Sequence, residues 1–173
     1  MSAEVAATLN EILDPAQTNL WRSILCDGRQ SDAACEAWIL YDANKLEAAL
    51  PVARMAMQHA RDTRKAAVLT FIIADALKGQ GNAAEAAEAY RASRLLFAEA
   101  GMPDVSMAVG AFVGDALQKS GRHGDALEAY LSAWPIARSL LQASSDRVSP
   151  FAQTLVLGIF ATAQECDGSP SAL

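Results

Sequence analysis

Histidine occurs twice and cysteine three times in 173 residues, which leaves little for catalysis or metal binding. His59 and His123 lie in different segments, and no serine or cysteine sits in an activating context beside either. No nucleophile–base pair emerges, so we read the chain as not an enzyme. Cys26, Cys35 and Cys166 form no CxxC and no zinc spacing, so neither a metal nor a cofactor is implied. An odd cysteine count without a disulfide framework predicts reduced, mostly buried thiols in a cytosol-like compartment.

Other absences narrow the class further. Aromatics make up 6% of the chain, and Trp21, Trp38 and Trp134 are too scattered for a base-stacking platform. The net charge of −6 gives no general drive toward nucleic acid or an anionic membrane. The longest apolar stretch, 151–163, is interrupted by Gln153 and Thr154 and falls short of the ~20 residues a membrane span needs. The first residues carry Glu4 and Glu11 and lack a basic head before an apolar run, against a signal peptide. The expectation is a cytoplasmic protein with no nucleic-acid and no membrane partner.

What is present is alanine, and a repeat. Residues 73–93 read IADALKGQGNAAEAAEAYRAS and residues 113–133 read VGDALQKSGRHGDALEAYLSA, forty positions apart. Asp75, Ala76, Leu77, Gly81, Ala86, Glu88, Ala89 and Tyr90 return as Asp115, Ala116, Leu117, Gly121, Ala126, Glu128, Ala129 and Tyr130. Self-similarity at such a period marks stacked units that share a core. Leu69, Ile72, Ile73, Ala76 and Leu77 fall on one helical face. Gly81 can then take positive φ, and Asn82 can cap a second helix. Gly101 and Pro103 end that helix, and Asp104 can help start the next. Pro135, inside the helix that follows, predicts a kink or a break near Ala133.

Counting back forty positions, Ala86, Tyr90 and Ser93 fall on Leu46, Leu50 and Ala53, and Gly81-Asn82 on Tyr41-Asp42. This predicts a degenerate first repeat with helices at about 31–41 and 43–61. The organisation expected is an N-terminal helical segment over 1–30, with helices at 3–13 and 15–25. A repeat domain over 31–166 follows (repeats 31–61, 65–101 and 104–142, closing helix 149–166), then a disordered tail over 167–173.

Ala74 and Gly114 near the end of the first helices, the turns Gly81-Asn82 and Gly121-Arg122, and the triplets Ala86/Tyr90/Ser93 and Ala126/Tyr130/Ala133 resemble the tetratricopeptide repeat. The likeness covers about 67–140, weakens over 27–60 and is absent from the first twenty-five residues. The period of forty exceeds the family's standard of about 34, which looks like its long-helix variants, and no Trp sits at the usual early first-helix position. The resemblance implies an all-α solenoid of stacked antiparallel helix hairpins with N-terminal helices and a C-terminal closing helix. It also implies a concave face made by the first helix of each pair.

On that alignment Val68, Phe71, Asp75 and Lys78 line the concave face in one repeat. Ala108, Ala111, Asp115, Gln118 and Lys119 line it in the next. Asp75 and Asp115, in one register, form either a carboxylate column that binds a peptide or partner helix, or two solvated side chains. The run 54–65, with Arg54, His59, Arg61, Arg64 and Lys65, is either a phosphate-facing patch or a helix end that offsets its dipole. His123 reads as a solvated turn residue. The closing helix, with Leu155, Val156, Leu157, Ile159 and Phe160, is apolar nearly all round and needs cover, either from the N-terminal helices or from a second copy in a homodimer.

Two functions follow from the resemblance: a non-catalytic adaptor that binds a protein or peptide partner, or a ligand-responsive module. The second would call for a deep pocket near Phe71 and Phe112.

Overall fold

The computed structural model describes residues 15–26, 32–143 and 150–166. Those residues form eight α-helices and no strand. In chain order they are α1 (Pro15–Cys26), α2 (Ala33–Asp42), α3 (Leu46–His59), α4 (Thr63–Gly79), α5 (Ala83–Glu99), α6 (Pro103–Lys119), α7 (His123–Ala143) and α8 (Pro150–Cys166). Each packs against the next, and α2 and α1 also reach α4, as α6 reaches α8. The helix expected over 3–13 and the tail over 167–173 lie outside the described residues. None of the described helices is long and apolar enough to cross a membrane.

Four turns are built alike. The Gly81 amide donates to the Lys78 carbonyl and the Asn82 amide to that of Leu77. The same pair of bonds closes at Gly101-Met102, at Gly121-Arg122 and at Asn44-Lys45. This pattern needs one residue in the left-handed region to satisfy the carbonyls at the helix end, and φ is 84° at Gly81, 73° at Gly101, 79° at Gly121 and 56° at Asn44. Asn82 makes no side-chain cap on α5; its amide closes α4 instead. The true caps sit at the joints: Asp62 accepts the amides of Lys65 (3.1 Å) and Arg64 (2.8 Å), which hold its carboxyl below the ordinary range.

Asn44 also resets the first repeat. With the left-handed residue at 44, Ala37, Ala49, Ala53 and Ala56 hold the places of Ala74, Ala86, Tyr90 and Ser93, and all four are buried. The offset is 37 positions (44 against 81), so the expected matches of Leu46, Leu50 and Ala53 and the turn at Tyr41-Asp42 are each displaced. Three alanines in the triplet leave no aromatic to betray the register. Pro135 does not break α7, which runs on to Ala143; the amide hydrogen bond it removes lies on the side where Leu131 is exposed.

The core is continuous from Trp21 and Leu25 in α1 to Leu155 in α8. Tyr90 and Tyr130, one from each second helix, are buried in it. A Cβ added at Gly114 would stand 2.7 Å from the Tyr130 ring, and one added at Gly158 in α8 would stand 2.8 Å from it. The ring is therefore wedged between two glycines on different helices. Gly110, one turn before Gly114, brings α6 equally close to Ser132 and the Ala129 carbonyl of α7.

Three glycine-to-alanine changes separate these causes. Gly81→Ala, in open space but with φ of 84°, is expected to cost about 1–2 kcal/mol through backbone strain. Gly114→Ala is expected to cost about 1–3 kcal/mol by overpacking against Tyr130. Gly124→Ala, in the first turn of α7 with nothing within 4 Å, is expected to stabilise by up to about 1 kcal/mol. Urea unfolding of the three variants checks the signs.

Candidate functional site

The side chains on one face of α2, α4, α6 and α8 form a connected polar line. Asp75 on α4 accepts the Tyr41 hydroxyl of α2 at 2.7 Å on one carboxylate oxygen and the Tyr90 hydroxyl of α5 on the other. Lys78, one turn along α4, places its Nζ 3.1 Å from Asp75 and 3.8 Å from Asp115 on α6. The same ammonium lies 5.4 Å from the ring centres of Tyr90 and Phe112, where the aromatic faces attract a cation. Lys119 reaches Asp115 at 3.5 Å. Gln118 accepts from the Tyr130 hydroxyl at 3.2 Å and donates to Glu165 of α8 at the same distance. His123 closes the line, with Nδ1 2.7 Å from Glu165.

The expected column of carboxylates is thus bridged by a lysine at each step, and its charge is balanced. Asp75 is not a freely solvated side chain: two phenols and an ammonium engage it, and it is 15% exposed, against 13% for Asp115. Asp115 differs, although it occupies the same register. Its Oδ2 is buried and accepts no hydrogen bond among the described residues, its two ammonium neighbours standing at ion-pair distance only. Tyr130, the counterpart of Tyr90, turns its hydroxyl to Gln118 and leaves Asp115 without a phenol.

The rest of the expected concave face divides in two. Val68, Phe71 and Ala111 are buried and cannot be reached from outside. Phe71 meets Phe112 at 5.0 Å, Tyr90 at 5.3 Å and the indole of Trp21 at 5.0 Å. These rings pack into one aromatic cluster. Lys78, Asp115 and Gln118 remain partly accessible, and Lys119 is exposed.

Sequence reasoning missed several contributors. Tyr41 escapes a forty-residue count, yet aligning on Asn44 puts it in the place of Lys78 and Gln118. His123 begins α7, half exposed, and faces Glu165 of α8. Trp21 and Trp38, scattered along the chain, meet at 6.1 Å. Cys26 and Cys35 are not reduced thiols but a disulfide, with Cα atoms 4.5 Å apart, and Cys166 is free and exposed. A separation of nine residues gives no signal of its own; folding α1 back onto α2 creates the pair. In the basic run, Lys65 faces Asp32 at 3.8 Å and Arg64 faces Asp62 at 3.7 Å. The run is also divided between α3 and α4 by the joint at Ala60–Asp62. No group of three or more His, Cys, Asp or Glu residues among those described is placed to hold a metal ion.

No family model, curated protein or solved structure matches the chain.

Burial raises the pKa of Tyr41 and Tyr90 well above 10, and the Asp75 carboxylate beside them adds to the effect. Tyr130 is raised chiefly by burial, with Asp115 contributing. Native packing therefore favours the neutral phenols. Their contribution to stability is complete below the ordinary tyrosine pKa of about 10 and is lost progressively as pH rises above it. All three tyrosines of the chain are of this kind. Tyrosinate absorbance is accordingly expected to appear together with alkaline unfolding, not ahead of it. Asp75→Ala, which strips two buried hydroxyls of their acceptor, is expected to cost about 3–5 kcal/mol, measured by urea unfolding at neutral pH.

Proposed function

We propose that the chain is a tetratricopeptide-like scaffold, with hairpins α2–α3, α4–α5 and α6–α7 stacked side by side and closed by α8. In this reading it is a non-catalytic adaptor that binds a peptide or partner helix on the faces of its first helices. The observation that carries the reading is the inequality of Asp75 and Asp115. Equivalent carboxylates carry two phenolic donors in one unit and none in the next, so the second keeps acceptor capacity that a partner's donor would use once the flanking Lys119 swings aside. A buried acceptor without a hydrogen bond costs about 1–3 kcal/mol. A backbone amide, or the guanidinium or ammonium of a partner, would recover that cost on binding. Lys78 and Lys119 flank it and suit a neighbouring carboxylate of the same partner, and Gln118 can contact its main chain.

A library of short peptides with one Arg or Lys moved through each position tests this. The wild type is expected to select basic residues at one register. Asp115→Asn/Lys119→Ala should lose about tenfold in affinity for the selected peptides, as removal of one charged hydrogen bond implies. Identical selection by wild type and variant would remove the site.

A second surface favours self-association. Gly158 meets the Tyr130 ring on α8 as Gly114 does on α6, which sets Leu157 and Phe160 in the places of Val113 and Ala116. The latter two are buried, whereas Leu157 is 69% and Phe160 64% exposed. A second copy offering its own α8 would supply the missing cover. Light scattering at micromolar concentration is expected to report a dimer, converted to monomer by Leu157→Glu/Phe160→Glu; a monomeric wild type would end this part of the reading.

A further inference from the structure

α1 lies on the surface that the preceding reading assigns to a partner. Its Trp21 is 3% exposed and its Leu25, one turn on, is fully buried. The indole packs edge-on against Trp38 of α2 at 6.1 Å and Phe71 of α4 at 5.0 Å, and stacks with Phe97 of α5 at 6.2 Å. Trp38 stands in α2 where Asp75 stands in α4, on the turn-based register set by Asn44 and Gly81. Trp38 and Phe71 are therefore positions of the same first-helix face as the polar line. α1 packs chiefly on α2 and α4, with Trp21 reaching Phe97 of α5, and the Cys26–Cys35 bond ties its last residue to the buried Cys35 of α2.

One feature of the fit is poor. The Trp21 indole Nε1 is buried and has no acceptor among the described residues, a cost that a ring without an N–H would not carry. The surface takes the shape of an aromatic ring and the leucine four residues after it, but among the described residues it offers the indole N–H no acceptor.

We infer that α1 is a self-supplied occupant of a helix-binding surface, latched by the Cys26–Cys35 disulfide, and that the surface accepts a partner's amphipathic helix carrying Phe-x-x-x-Leu. The inference rests on the preceding reading that partners bind the first-helix faces. Opening the latch requires a dithiol reductant. Its thiolate attacks the half-buried Cys26 sulfur and expels the Cys35 thiolate; a second attack closes the reductant's own disulfide and leaves two protein thiols, with two electrons and two protons transferred. Release of Trp21 and Leu25 then uncovers Trp38, Phe71 and Phe97.

Amide hydrogen exchange on the whole chain, oxidised and then reduced with dithiothreitol, tests the latch, with Cys26→Ser/Cys35→Ser as a reductant-free equivalent. Exchange at Trp21–Cys26 is expected to rise at least about tenfold on reduction, as loss of a cross-link implies, while α4 to α6 stay protected. No change, or a loss of protection that spreads to α4 and α5, would overturn the latch.

The surface is tested with a fluorescein-labelled peptide of residues 15–26 bearing Cys26→Ser. Because the tethered α1 competes at an effective concentration of about millimolar, the receptor is the reduced Trp21→Ala/Leu25→Ala protein. The peptide is expected to bind it and not the oxidised wild type, and its Trp21→Phe form to bind several-fold tighter. An opened variant, with α4 to α6 protected, that ignores both peptides would overturn the surface. Failure of the latch with the Asp115-dependent peptide selection intact would sink this inference alone; loss of that selection as well would sink the adaptor reading beneath it.

Discussion

Each long second helix must seat a tyrosine ring against a small residue of the first helix and place its hydroxyl where water is scarce. The steric half of that demand selects Gly114 and Gly158 around Tyr130, and Ala74 in the place equivalent to Gly114 beside Tyr90. The polar half selects Asp75 for Tyr90 and Gln118 for Tyr130. Helix spacing, the order of contacts from α4 to α8 and the polar line all descend from seating these two rings. A buried phenol without an acceptor would cost more than its ring contributes in packing. The carboxylate and the aromatic are therefore best regarded as a single element.

The two copies that retain a tyrosine and a glycine turn were legible from the sequence, and their helices, turns and small residues stand where expected. What escaped notice had physical causes. The first copy turns on Asn44, which tolerates the left-handed region at some cost, and fills its triplet with Ala49, Ala53 and Ala56. A register built on glycine and tyrosine therefore slipped by three positions. The site was half legible. Periodicity identified the face that carries Asp75, Lys78, Asp115, Gln118 and Lys119, yet it could not separate lining from floor. Val68, Phe71 and Ala111 lie on that face and are buried, because α1 and the aromatic cluster cover part of it. The disulfide and the Trp21 contact join segments that no local pattern relates.

The arrangement of charge matters more than its sign. A pair of carboxylates in one register suggested an acidic surface, but Lys78 sits between them and Lys119 follows, so the line alternates. Paired charges of limited exposure contribute modestly to stability. An aspartate that accepts from Tyr41 and Tyr90 serves the fold; its equivalent, passed over by Tyr130, pairs with Lys78 and Lys119. The proposed partner site rests on that difference.

From the small residue of the first helix to the last of the triplet, the hairpins run Ala37–Ala56, Ala74–Ser93 and Gly114–Ala133, all of one length. Only the register between them differs: 18 positions separate Ala56 from Ala74, and 21 separate Ser93 from Gly114. The tight turns at Asn44, Gly81 and Gly121 act as fixed rivets, whereas segments such as Ala60–Asp62 behave as adjustable spacers. Extra residues added at a spacer would leave every hairpin intact, so the relation between neighbouring hairpins can drift over evolutionary time without any unit losing its fold.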